Sequence, residues 1–245
     1  MFVLVCILSF LLIPSIVDAW GPLTHVYLGY QVLDVGAAMI PAGLYSILKK
    51  YKNDFLYGNL CADIILGRRF QVFNKNSHNW DIAWKLLMSS KSDRQKAFAY
   101  GYLMHLCADT VVHNRESSRI PFSHSLIEIK SDSIMDKKYR RMLKRLDKVM
   151  QKKNDIFLEK KLESLIFSFK TNKRIFKGFL LLSRLPNYSP VSNFIDHRFP
   201  YEITVGDIYG FQQESLARMF ELLNNGKDSE VLKEEPLGKY HRKAS

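Results

Sequence analysis

Ser92-Asp93-Arg94-Gln95-Lys96-Ala97-Phe98-Ala99-Tyr100-Gly101-Tyr102-Leu103-Met104-His105-Leu106-Cys107-Ala108-Asp109-Thr110-Val111-Val112-His113 reads as one long helix. Ser92 is a good cap, Asp93 sits in the first turn, and no proline interrupts the run to His113. Ala97, Gly101, His105, Asp109 and His113 recur every four residues. At about 100° per residue, His105, Asp109 and His113 spread over only about 80° of one face. Such a helix aims three ligand-type side chains at one place.

Working outward, the apolar spacing stays helical almost everywhere. Thr24 is placed to cap a helix carrying Val26, Leu28, Val32 and Leu33. Asp81 to Met88 is a short helix. After Pro121 another begins, carrying His124 and Glu128. Asp136 to Gln151 shows the i, i+3, i+4, i+7 rhythm in Tyr139, Met142, Leu143, Leu146, Val149 and Met150. Leu185 to Ile203, with Pro186, Pro190 and Pro200, reads as an irregular loop. A last helix spans Asp207 to Leu223, and the tail from Asn224 is expected to fray. Few segments alternate as strands do, so the fold is expected to be all-α, a single-domain multi-helix bundle over residues 20–225 with a flexible tail at 226–245.

The chain has 245 residues, enough for one good core, with 36 Lys+Arg against 24 Asp+Glu and a net charge of +12. A hydrophobic content of 47% with 24% charged residues excludes a disordered or collagen-like chain. Three cysteines cannot build a disulfide scaffold, so packing, metal or both must hold the fold. The positive charge predicts an anionic partner: nucleic acid, an anionic membrane surface or a phosphorylated substrate. Residues 1–19 form an apolar run too short for a comfortable bilayer span and end in Val17-Asp18-Ala19, the pattern of a signal peptide. Cleavage between Ala19 and Trp20 would make the protein secreted or periplasmic; the alternative is a membrane anchor left uncleaved. Cys6 would leave with the signal, and Cys61 and Cys107 are expected to be small core hydrophobes.

Five of the seven histidines fall between His25 and His124. His124-Ser125-Leu126-Ile127-Glu128 repeats the i, i+4 pairing of His105 and Asp109 on the following helix. A lone histidine is more often a satisfied core residue, and a single His/Asp pair is often a surface ion pair. Two successive helices bearing His-x-x-x-Asp-x-x-x-His and His-x-x-x-Glu point instead to a metal site. Imidazole with carboxylate and no paired thiolates suits zinc in a catalytic centre. The spacing does not specify the reaction.

The chain resembles the zinc-dependent phospholipase C family, including its phospholipase C/D domain, which is itself similar to the fungal zinc-dependent single-strand nucleases. The resemblance is carried by Trp20-Gly21 with His25 shortly after, Tyr57-Gly58-Asn59-Leu60-Cys61-Ala62-Asp63, His78-Asn79-Trp80, His105-x-x-x-Asp109-x-x-x-His113-Asn114 and His124-x-x-x-Glu128. It spans Trp20 to Glu128 and weakens beyond. It implies three zinc ions. Asp63, His78, His105 and Asp109 match the ligands of one, and His113, His124 and Glu128 those of the second. His25, a bridging Asp109 and the mature terminal Trp20, through its free amine and carbonyl oxygen, match those of the third. The implied activity is hydrolysis of a phosphodiester by hydroxide from zinc-acidified water, with Asp63 placed to orient the hydroxide or accept its proton. Asn114 would hold an outer hydrogen bond or cap the helix.

Substrate is the open point. Asp109 and His113 stand four apart, as in the phospholipase C/D domain, whereas the nucleases and the best-known secreted bacterial phospholipases C place more residues between them; the match to the phospholipase C/D domain favours phospholipid over single-stranded nucleic acid. Between Lys137 and Lys177 there are fifteen Lys+Arg and four Asp+Glu. Lys137, Arg140, Arg141, Lys144 and Lys148 flank the apolar stripe of their helix, with Phe167, Phe169, Phe176, Phe179, Leu180 and Leu181 downstream. A basic amphipathic stretch reads as membrane-surface binding, against the plainer reading of a solvated helix packing on the core. The bases are not regularly interleaved with aromatics in the way that stacks single strands. Trp80 and Trp84 are candidates for the mouth of the site, and a lip from Tyr188, Phe194, His197, Phe199 and Tyr201 is another. A zinc-stabilised surface-binding protein with a degenerate site is the non-enzyme alternative.

Overall fold

The long helix read from Ser92 is the axis on which the other elements pack. In a computed structural model, which describes residues 20–65, 77–113, 123–146, 151–162, 167–183 and 204–237, every regular element is helical. The fold is all-α. The α-helices are α1 (Pro22–Val35), α2 (Ala42–Lys50), α3 (Lys52–Cys61), α4 (Trp80–Met88), α5 (Asp93–His113), α6 (Ser123–Ser133), α7 (Lys137–Arg145), α8 (Gln151–Glu159), α9 (Phe169–Ser183) and α10 (Val205–Asn225).

α5 is 21 residues long and buried on every side from Ala97 to His113, Tyr100 alone being half-exposed. A helix apolar all round belongs inside a bundle, and α3, α4, α10 and α1 pack around it. The α3–α5 crossing is the tightest. A Cβ on Gly58 would lie 2.1 Å from the Phe98 carbonyl oxygen, and one on Gly101 would lie 2.0 Å from the Phe55 carbonyl oxygen. Only glycine lets these two backbones touch. Cys61 and Cys107 are fully buried free thiols, and burial pushes both well above the usual thiol range, which suits core residues.

Several boundaries differ from the sequence expectation. α1 starts at Pro22, with Gly21 as its N-cap, so Thr24 lies inside the first turn rather than capping it; proline is at ease there because its missing N–H would have no intrahelical partner. Ser92 accepts from the Gln95 N–H at 3.3 Å, as expected of a cap. The stretch from Asp136 to Gln151 is not one helix. Asp136 caps α7 by accepting from the Lys138 N–H at 2.6 Å, α7 ends at Arg145, and Gln151 begins α8. The last helix is longer than expected, because a Thr204–Asp207 capping box starts it at Val205.

Of the tail expected to fray, residues 238–245 lie outside the described residues. Residues 226–237 carry two 3-10 turns, Gly226–Asp228 and Glu230–Lys233, and lie across the bundle. Val231 and Leu237 are buried, and the Trp80 indole N–H donates to the Glu234 carbonyl at 2.8 Å. The Arg218 guanidinium clamps the segment, donating to Glu234 Oε2 at 2.6 Å and to Thr110 Oγ1 at 2.9 Å. The expected loop at 185–203 and residues 1–19 lie outside the described residues. No described helix is long and apolar enough to cross a membrane.

Candidate metal centre

Two helices, one 3-10 turn and the approach to a third helix bring the centre together. His25 comes from the first turn of α1, Asp63 from the 3-10 turn Ala62–Ile64 after α3, His78 from the approach to α4, and His105 and Asp109 from α5. His25, His105 and Asp109 are fully buried; His78 is 2% exposed and Asp63 8%.

The two oxygens of Asp109 face different partners. Oδ1 lies 3.3 Å from His25 Nε2, while Oδ2 lies 3.2 Å from both His78 Nε2 and His105 Nε2. Asp63 Oδ1 approaches the same pair, at 3.4 Å from His78 Nε2 and 3.6 Å from His105 Nε2. The imidazoles of His25 and His105 are stacked with centroids 3.9 Å apart. Two ligand groups result, His25/His105/Asp109 and Asp63/His78/His105, each with its donor atoms within 4.8 Å of one another.

Outer hydrogen bonds hold these rings. His105 Nδ1 lies 2.8 Å from the Asn59 carbonyl oxygen, so Nδ1 carries a proton and Nε2 is the nitrogen that faces the centre. Ser77 Oγ donates to the Ala62 carbonyl at 3.1 Å and therefore accepts from His78 Nδ1 at 3.2 Å. The Tyr102 hydroxyl fixes that turn by donating to the Ser77 carbonyl at 2.6 Å. Such partners set the tautomer and the aim of a ligating ring.

The residues fit zinc. Both ring nitrogens of His25 and both oxygens of Asp109 are buried without a well-aligned hydrogen bond, which is costly unless a cation completes them. His78 Nε2 and His105 Nε2 stand 3.1 Å apart, so the two rings aim the same nitrogen at one place beside Asp109. The donor set is imidazole and carboxylate, which zinc takes readily.

Residues 24–176, more than half of the chain, match the sequence profile of the zinc dependent phospholipase C family. The chain belongs to that family. No curated protein and no solved structure gives a significant match. The family's zinc-dependent chemistry requires ligands of the kind that Asp109 gathers. His113 and Glu128, on α5 and α6, are both buried; His124 lies on α6, but its side chain and Asn114 are outside the described residues. Trp20 is fully buried, its indole N–H reaching the Ala108 carbonyl at 3.1 Å and Ser215 Oγ at 3.2 Å. Its side chain is thus anchored to α5 one residue before Asp109.

Other candidates stand further out. Trp80 and Trp84 are half-buried under the C-terminal segment, Trp80 bonded to Glu234 and Trp84 beneath the Lys227 ammonium at 5.7 Å. On α7, Tyr139 and Leu143 face the core, while Lys137, Arg141 and Lys144 are exposed and Arg140 half-buried. The apolar stripe of α7 is spent on the core, leaving a basic outer face. Sequence reasoning missed Asn59, Ser77 and Asp132. Asn59 sits in the Tyr57–Asp63 motif, but its contribution is a backbone carbonyl, for which side-chain pattern carries no signal.

The charges predict how the chelated protein responds to pH. Burial and then the neighbouring His105 push His25 below its ordinary 6.5. Burial opposes protonation of His105 too, yet Asp109 and Asp63 more than offset it and push that ring up to about 10. Burial likewise opposes ionisation of Asp109, but His105 and His25 hold it well below the usual carboxylate range. The lowered His25 contributes stability present above pH 6.5 and lost as pH falls. The raised His105 contributes stability present below 6.5 and lost as pH rises through about 10. Asp109 adds an acid-side loss below 3.8. Asp132, which burial raises to about 6, works the other way between 3.8 and 6 and blunts the acid limb. The chelated protein should therefore be most stable near pH 6.5 and lose stability steadily to about pH 10. Zinc holds its histidine ligands neutral, so the loaded protein should lose much less on the alkaline side. Thermal midpoints from pH 5 to 10 check this; alkaline limbs of equal slope with and without chelator would contradict it.

Proposed function

We propose that this chain is a secreted zinc-dependent phospholipase C-type phosphodiesterase with a three-ion centre. The observation that carries the reading is the bridging geometry of Asp109, one buried carboxylate with His25 on one oxygen and His78 and His105 on the other. Asp63, His78, His105 and Asp109 would hold one ion. His113, His124 and Glu128 would hold a second, and His25, Asp109 and Trp20 a third.

When bound, zinc polarises the phosphoryl oxygens and brings the pKa of water to about 7. The protein's own groups supply position and proton handling. Asp63 is the least buried member of the gathered group and is suited to orient the attacking water and take up its proton. The Asn59 and Ser77 contacts keep His105 and His78 from rotating as charge develops. Water adds at phosphorus, the bond from phosphorus to the diglyceride oxygen breaks, and the products are a diglyceride and a phosphorylated headgroup.

Substrate at a membrane calls for a docking surface. The basic outer face of α7 would attract anionic headgroups, with about 1 kcal/mol for each base near the surface. α9 adds exposed Ile175 and Leu181 among exposed Lys170, Arg174 and Lys177, with exposed Phe167 just before its start. That mixture of bases and large apolar groups suits shallow contact with a bilayer surface.

The test is the mature protein, beginning at Trp20 and loaded with zinc, assayed on phosphatidylcholine vesicles and on single-stranded DNA. Release of phosphocholine from the vesicles is the expected result. Cleavage of DNA alone would make the chain a nuclease, and activity on neither would leave a surface-binding protein with a silent centre. Fewer than two zinc ions per chain would overturn the cluster itself.

A further inference from the structure

Asp132 has no part in the proposed chemistry, yet it is buried at 2% exposure, one turn beyond Glu128 on α6. Its carboxylate serves a different helix. Oδ2 accepts from the Leu23 N–H at 3.1 Å, and Oδ1 accepts from the Thr24 N–H at 2.9 Å and from the Thr24 hydroxyl at 2.9 Å. These are N–H groups of the first turn of α1, which find no acceptor within their own helix. The N-cap of α1 is Gly21, with no side chain to satisfy them. Glycine is needed there for space, since a Cβ would lie 2.3 Å from Asp132 Cγ and within 2.5 Å of both carboxylate oxygens. Its φ of −68° asks for nothing special. The missing cap is supplied from α6.

The residues held in this way are the neighbours of proposed ligands. Thr24 directly precedes His25, and Leu23 follows Trp20 by three. α6 is also the helix of His124 and Glu128. We propose that Asp132 is a positioning residue of the metal centre, which locks the first turn of α1 onto α6 and so sets where Trp20 and His25 stand. It acts through the backbone and touches neither metal nor substrate. The inference rests on the reading of Trp20 and His25 as ligands of the third ion. A ligand displaced by about 1 Å can cost roughly 100-fold in rate, so a remote clamp has leverage.

The experiment compares D132N, T24V and T24S with the wild type in the mature, zinc-loaded protein. Asparagine offers one acceptor where two donors of the backbone converge, so one N–H is left facing an amide donor. D132N should lose about one zinc ion per chain and about tenfold or more in kcat, with KM changed less than about twofold. T24V removes the hydroxyl's contacts with Asp132 Oδ1 at 2.9 Å and Ser131 Oγ at 3.0 Å but leaves both backbone bonds, and should lose less in the same direction, while T24S should match the wild type. D132N should also lower the thermal midpoint of the zinc-loaded protein more than that of the chelated one. Full zinc content with wild-type kcat would overturn the proposal. So would equal lowering of both midpoints at full zinc content, because the cap would then be structural alone. Should D132N not fold, equal zinc content in T24V and T24S overturns it. A wild-type protein with only two ions would instead remove the three-ion reading on which the proposal stands, and that is known before any variant is made.

Discussion

Gly101→Ala is expected to destabilise the protein by about 3 kcal/mol or more, at the upper end of overpacking costs. The added Cβ would fall 2.0 Å from the Phe55 carbonyl oxygen and 3.0 Å from both the Asn59 nitrogen and the Gly58 Cα. All three are backbone atoms, so no side chain can swing away and the two helices must part. Parting them also moves Asn59, whose carbonyl holds His105 Nδ1 at 2.8 Å. Stability and zinc affinity should therefore fall together. For a chain of this size the midpoint should drop by roughly 10 °C. Gly58→Ala should behave alike, its Cβ meeting the Phe98 carbonyl at 2.1 Å. Gly178→Ala is the control: it lies within α9 with nothing within 4 Å of its Cβ, and alanine there should stabilise by about 0.5–1 kcal/mol. Thermal unfolding of the three variants checks the series, and a Gly101→Ala protein within about 2 °C of wild type would contradict the crossing.

Asp109→Asn is expected to cost more function than any other single change. Its carboxylate is the nearest anion to three imidazoles, and it is fully buried. Breaking a buried charge arrangement by removing one partner costs about 3–5 kcal/mol, roughly 100- to 1,000-fold or more in metal affinity. Asparagine keeps the shape but replaces one acceptor oxygen by a donor, facing either His25 or the His78–His105 pair. Zinc content after dialysis should fall and hydrolysis should be lost, while the far-UV circular dichroism stays helical. Asp63→Asn should be milder in zinc content, because Asp63 stands further from the same rings, at 3.4 and 3.6 Å. An Asp109→Asn protein that retains full zinc after dialysis would show that the bridge is not what holds the metal.

The fold class was legible because α-helical periodicity is local: four-residue recurrence from Ala97 to His113 dictates one face whatever surrounds it. The gathering of His105 and Asp109 was legible for the same reason. Helix ends were less so, since Pro22 and Thr24 both make sense as first-turn residues until Asp132 is seen to provide the cap. The split between α7 and α8 was hidden because the apolar rhythm runs on across it. Residues 226–237 read as tail because they are short, polar and without periodicity. They are held by Arg218 and Trp80, partners distant in sequence.

By itself the sequence determined a helical chain, a basic outer surface and a set of histidines and carboxylates suited to zinc, all properties of residue type and short-range spacing. Only the tertiary structure decided that Asp109 turns one oxygen to His25 and the other to His78 and His105, that Gly58 and Gly101 exist to let two backbones meet, and that an aspartate on α6 caps α1. Each of these depends on the mutual placement of helices, and that is set by shape and excluded volume between residues far apart in the chain. Spacing along one helix does not carry that information.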